Sequence, residues 1–174
     1  MAYISQVNYE DASQEVKEHF EDQIERNGRI TNMKKTLLHS VPAYKALMEW
    51  YTLRDVVKPF LGERGVNFFC YAISTENDCL ICSTFFAQIL DDLKIDFYSF
   101  AFTEKESAVI EYGRALVSNP HRISEELFSK LKKFFNEEEI VALTAFGSIM
   151  IATNLINTAL KVELDEELVP YTKR

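Results

Sequence analysis

The sequence predicts an all-α protein, on three observations. Apolar residues recur at three- and four-residue spacing along most of the chain, and no segment alternates apolar and polar residues with a period of two. Only 5 Gly and 4 Pro occur in 174 residues, too few for the tight turns of a β-sandwich or barrel. Ser, Thr, Asp or Asn stands ahead of several periodic stretches with Glu or Gln three residues on, a pattern that satisfies the free amides of a helix start.

The elements follow in order. Asp11 with Gln14 reads as a capping box for a helix carrying Val16, Phe20 and Ile24, which Gly28 ends. A short segment spans Met33 to Leu38. Pro42 suits the first turn of the next helix, where its missing N–H costs nothing. That helix places Tyr44, Leu47, Met48 and Tyr51 on one face, and Pro59 is expected to stop it. Between Gly62 and Thr75, Val66, Phe69, Cys70 and Ile73 keep helical spacing. A helix opening at Cys79 follows, with Phe85, Phe86, Ile89 and Leu90 as its core side. Asp91 to Phe102 is an aromatic connector without a period. Thr103 with Glu106 caps a helix through Val109, Ile110, Tyr112 and Leu116, ended by Asn119-Pro120. Ser124 opens a helix through Leu127, Phe128 and Leu131. Asn136 with Glu139 caps the last and longest helix, which runs to about Leu160.

Composition narrows the function. A length of 174 residues suits a single domain, 1–174, and 47% hydrophobic residues exclude a disordered chain. A net charge of −8 without a basic stripe argues against nucleic acid as a partner, since phosphate contacts need clustered Lys and Arg. The stretch from Ile140 to Leu160 is apolar, but Thr144, Ser148, Thr153, Asn154, Asn157 and Thr158 interrupt it, so a buried helix is expected in place of a membrane span. Its apolar length calls for burial on more than one side, centrally or against another subunit, and a homo-oligomer is the expectation. Met1 to Glu10 shows no charged segment followed by an apolar one, which with three cysteines leads to the expectation of a reducing cytoplasm.

The chemistry-bearing motif is Cys79-Leu80-Ile81-Cys82. Two thiols at this spacing lie about one helical turn apart and can close a disulfide with little backbone movement. At a helix start they also meet unpaired amides and the positive end of the dipole, which favour the nucleophilic thiolate. A structural zinc site would need two further ligands at matching spacing. Cys70, His19, His39 and His121 show no such spacing, and Cys70 reads as a core residue. No cofactor or metal is therefore expected. Two small buried core cysteines remain the bland alternative.

The run from Val66 to Cys82 resembles the carboxymuconolactone decarboxylase family, and within it the alkylhydroperoxidase D-like, peroxidase-related branch. Phe102-Thr103-Glu104-Lys105-Glu106, Phe135 to Thr144, Asn154 to Asp165, and Asn27-Gly28-Arg29 with Leu38 to Pro42 are similar to further parts of that branch. The resemblance implies an all-α fold in dimers, trimers or hexamers. It also implies an antioxidant reaction in which Cys82 attacks a hydroperoxide, Cys79 condenses with the resulting sulfenic acid, and a dithiol reductant restores the pair. In the family a Glu and a His relay the proton. Here the corresponding positions are Asn67 and Phe86, neither of which can accept a proton in the useful range. Glu63 and Glu76 stand nearby, and His39 or His121 could approach from another element. The site residues are thus Cys79 and Cys82, with the relay unfilled, and weak peroxide reduction or thiol–disulfide exchange is the expected activity. A lactone decarboxylase-like enzyme and a non-catalytic oligomeric binding protein are the alternatives.

Overall fold

The computed structural model describes residues 2–172. Among the described residues seven α-helices follow one another: α1 Gln14–Asn27, α2 Asn32–Leu37, α3 Val41–Glu76, α4 Leu80–Asp92, α5 Glu104–Ser118, α6 Glu125–Lys132 and α7 Glu137–Ala159. Short 3₁₀ turns cover Pro120–Arg122 and Glu166–Tyr171, and no strand occurs among the described residues.

Most helix starts match their sequence signals. Thr103 and Asn136 form complete capping boxes with Glu106 and Glu139, and Ser124 accepts from the Leu127 amide. At α1 the cap is Ser13, whose hydroxyl accepts from the Val16 amide, and not Asp11. Gly28 closes α1 in the left-handed region at φ 72°. Ile24 turns to solvent, and Gln23 takes the buried position beside it.

Pro59 does not end its helix. The chain stays helical through it and breaks three residues later, at Gly62, with φ 75° and ψ 161°. Proline removes one amide and crowds one turn, yet on an exposed turn water can satisfy the freed carbonyl. The backbone of Gly62 occupies a region that only glycine enters without strain, so the change of direction falls there. The Lys105 ammonium donates to the Phe60 carbonyl beside the break. Because Gly62 divides α3, α7 remains the longest uninterrupted helix.

Three other helix ends use a left-handed residue that is not glycine: Asp78, Lys94 and Lys161, at φ 49°, 59° and 48°. In each case the next amide reaches back five residues: Cys79 to Ser74, Ile95 to Leu90 and Val162 to Asn157. These bonds close Schellman motifs, which satisfy carbonyls left open at the helix ends.

The core lies where the second half of α3 crosses α5 and α7. Phe69 stacks on Phe146 with ring centroids 6.0 Å apart. A Cβ at Gly113 or Gly147 would stand 3.0 Å from that Phe69 ring, so the two glycines admit it between α5 and α7. The connector wraps its Phe97, Phe100 and Phe102 rings around Phe68. Val16, Phe20, Leu37, Leu38 and Tyr44 form a second, smaller core beneath the N-terminal helices. Among the described residues α7 is the one helix long and apolar enough to cross a membrane. Its Leu143, Phe146 and Met150 face pack into the core, while Val141 and Leu155 stay 69% and 63% exposed. Burial of Ile140 to Leu160 within one chain is thus limited to one side.

Candidate active site

The turn Asn77-Asp78 delivers Cys79 to the start of α4. Cys79 is the N-cap residue in extended backbone, and Cys82 lies in the first turn. Both are free thiols, 1% and 5% exposed. Cys70 is also free but lies fully buried in α3, where burial pushes its thiol well above the ordinary value.

The two thiols have opposite acidities. A hydrogen bond from Cys82, backed by the amides of Cys82 and Ile81 and by the Thr158 hydroxyl, lowers Cys79 from 9.0 to about 7 against the cost of burial. Donating that hydrogen bond, together with burial, holds Cys82 well above the ordinary range. The pair therefore loses one proton near neutrality and holds the other between its sulfurs.

Cys82 faces a cavity of about 270 Å³ enclosed by α2, α3, α4 and α7, and Cys79 sits behind it, away from the lining. Trp50, Met48, Met150, Phe85 and Phe86 give the walls an apolar character. The second half of α3 contributes Asn67 and the first turns of α4 contribute Phe86, both buried and both lining the cavity. The two positions at which the resemblance expects a proton relay thus line the same cavity as Cys82, and both carry side chains that cannot relay. Glu63 lines the cavity but pairs with Lys58 at 2.5 Å, and Glu76 is exposed away from the lining. His39 is bound to the Ser5 carbonyl at 2.8 Å, His121 lies in an exposed 3₁₀ turn and His19 rests on Tyr44; none lines the cavity.

Two polar residues that sequence reading missed stand here. Asn157 of α7 donates through Nδ2 to Cys82 Sγ at 3.2 Å and lies 3.4 Å from Met33 Sδ. It is one of the polar residues that interrupt the apolar run of α7, which was the available signal. Lys34 of α2 is buried at the cavity wall, a position that a lysine in a short polar segment does not advertise. A second, open groove of about 410 Å³ lies between the connector and α5 and contains no cysteine.

No family model and no curated protein sequence matches the chain. Solved structures do match. The alkylhydroperoxidase AhpD core, an uncharacterized peroxidase-related protein from Ralstonia eutropha JMP134, superposes with a TM-score of 0.77 at 13% identity, covering 99% of this chain and 97% of that one. An uncharacterized peroxidase-related protein from Silicibacter sp. TM1040 gives 0.77 at 16% identity, covering 94% and 90%. The debrominase Bmp8 gives 0.77 at 16% identity, covering 97% and 95%, and a variant of it has been solved with 2,3,4-tribromopyrrole. The fold of this chain is therefore that of the alkylhydroperoxidase D-like, peroxidase-related proteins.

Proposed function

We propose that the chain is a dithiol oxidoreductase that reduces a small electrophilic oxidant, a hydroperoxide in the first instance, at Cys82. The observation that carries this reading is a hydrogen-bonded thiol pair at a helix start with one sulfur open to an apolar cavity. The Cys79 thiolate takes the Cys82 proton along their shared hydrogen bond, so the first cysteine substitutes for the missing relay. The Cys82 thiolate then attacks the distal peroxide oxygen. The O–O bond breaks, Cys82 becomes a sulfenic acid, and the departing alkoxide takes the proton held on Cys79. Cys79, again a thiolate, attacks the Cys82 sulfur and expels hydroxide, which is protonated to water. Two thiols and one hydroperoxide thus become a disulfide, an alcohol and water, and an external dithiol reopens the bridge.

Mass spectrometry after one equivalent of peroxide tests this. The peptide holding both cysteines is expected to lose two hydrogens while Cys70 stays reduced. A bridge to Cys70, or no bridge, overturns the reading.

Reductive dehalogenation is a second reading, favoured by the aromatic and thioether walls around Cys82 and by the fold shared with a debrominase. There the Cys82 thiolate takes the halogen as a sulfenyl halide, the ring carbon takes a proton, and Cys79 displaces halide to close the same disulfide. Halide release from a bromopyrrole, measured beside peroxide consumption, separates the two.

We also propose that copies of the chain associate through the outer face of α7, where Val141 and Leu155 present apolar surface.

A further inference from the structure

We propose that the cavity at Cys82 selects small organic anions, carboxylates in particular, and that Lys34 is the group that receives the charge. The inference rests on the reading of this cavity as the substrate site.

Lys34 is only 5% exposed, and buried lysines are rare unless they are paired. Its ammonium donates to the Gln23 side-chain carbonyl and to the Tyr51 hydroxyl at 2.8 Å, and lies 5.1 Å from the centre of the Tyr51 ring. All of these partners are neutral. An ammonium carries three protons, and two neutral acceptors account for two of them.

Two of the other three charged side chains in the lining have counter-ions. Arg54 pairs with Asp55 at 2.9 Å and Glu63 with Lys58. The third, Asp165, is buried and accepts from the Asn32 amide at 2.8 Å, at the start of the helix that carries Lys34, but forms no ion pair with that lysine. A buried charge facing neutral groups is costly, and an anion brought into a low-dielectric cavity relieves that cost.

A second unpaired donor lies in the same wall. The indole Nε1 of Trp50 is buried and has no hydrogen-bond partner in the protein, and Trp50 lines the same cavity. An ammonium in a wall of Met33, Met48 and Phe85 suits a molecule with one anionic end and an apolar body. The cavity volume fits a body of about one ring. The substrate class is then a carboxylate-bearing hydroperoxide or halide in place of a neutral alkyl one.

Trp50 is the sole tryptophan of the chain, so its fluorescence reports on the cavity. The probes are benzoate and benzyl alcohol, alike in size and differing in charge, titrated against the full reduced chain and its Cys82→Ser variant. Benzoate is expected to bind about tenfold or more tighter in both proteins, and Lys34→Met or Lys34→Gln to bring the ratio to about one. Lys34→Arg is expected to keep the preference. Equal affinities in the wild-type chain, no binding of benzoate, or a preference unchanged in a folded neutral variant would overturn the inference. The wild-type ratio decides even if both neutral variants lose their helical circular dichroism. Because Cys82→Ser cannot close the Cys79–Cys82 bridge, a benzoate preference there without disulfide formation in the wild type would refute the oxidoreductase and leave the anion site standing.

Discussion

Replacing Cys79 by serine isolates the partnership on which the proposed chemistry depends. In the native pair the hydrogen bond from Cys82 and the amides at the start of α4 bring Cys79 from 9.0 to about 7. At pH 7 a thiol at 9.0 is about 1% ionised and one at about 7 is about half ionised, so the native pair holds roughly fifty times more monoanion. In Cys79→Ser this reservoir is gone, and burial of Cys82 pushes its thiol upward. The sulfenic acid formed at Cys82, trapped with dimedone in single-turnover experiments, is expected to appear at least about fiftyfold more slowly at pH 7. The sign of the pH dependence follows from the depressed value of Cys79. The native rate rises as pH increases through about 7, the variant rate rises only in the alkaline range, and the two converge there. An unchanged pH profile in Cys79→Ser would refute the proton transfer between the two sulfurs. So would a first oxidation that survives Cys82→Ser and maps to Cys79.

Three further outcomes are expected. Asn67→Glu with Phe86→His places a carboxylate and an imidazole on the cavity wall that Cys82 faces, and the hydroperoxide rate is expected to rise towards the roughly 10²–10⁴-fold that general acid–base catalysis supplies. No rise in a folded double variant would show that the cavity geometry does not support a relay. Gly113→Ala combined with Gly147→Ala closes on the Phe69 ring from α5 and α7 together. It is expected to cost about 1–3 kcal/mol despite the better helix propensity of alanine, read as a lower Tm, and an unchanged or higher Tm would contradict this packing. Leu155→Glu puts a charge on the exposed apolar face of α7 and is expected to reduce the mass measured by light scattering, whereas a wild-type chain that is already monomeric at micromolar concentration would remove the proposed association.

Much of the fold was legible because its signals are local. The capping boxes at Thr103 and Asn136 and the glycine cap at Gly28 act within one turn, and the sequence carries each in full. The helix ends at Asp78, Lys94 and Lys161 were not legible in this way. Their left-handed residues are ordinary side chains, and the bonds that hold them depend on how the chain leaves the helix. Pro59 misled for a related reason. Proline weakens a helix turn, while the observed break needed a backbone conformation that Gly62, three residues on, could adopt.

By itself the sequence determined the all-α class, the thiol pair at a helix start, and the absence of acid–base side chains at Asn67 and Phe86, since composition, spacing and residue chemistry do not depend on long-range packing. Tertiary structure decided which sulfur meets the cavity, that Asn157, 75 residues away in the chain, donates to it, and that a lysine from α2 is buried at the same wall. Those contacts join α2, α4 and α7 across the core, and residues brought together only by helix packing share no periodic signal along the chain.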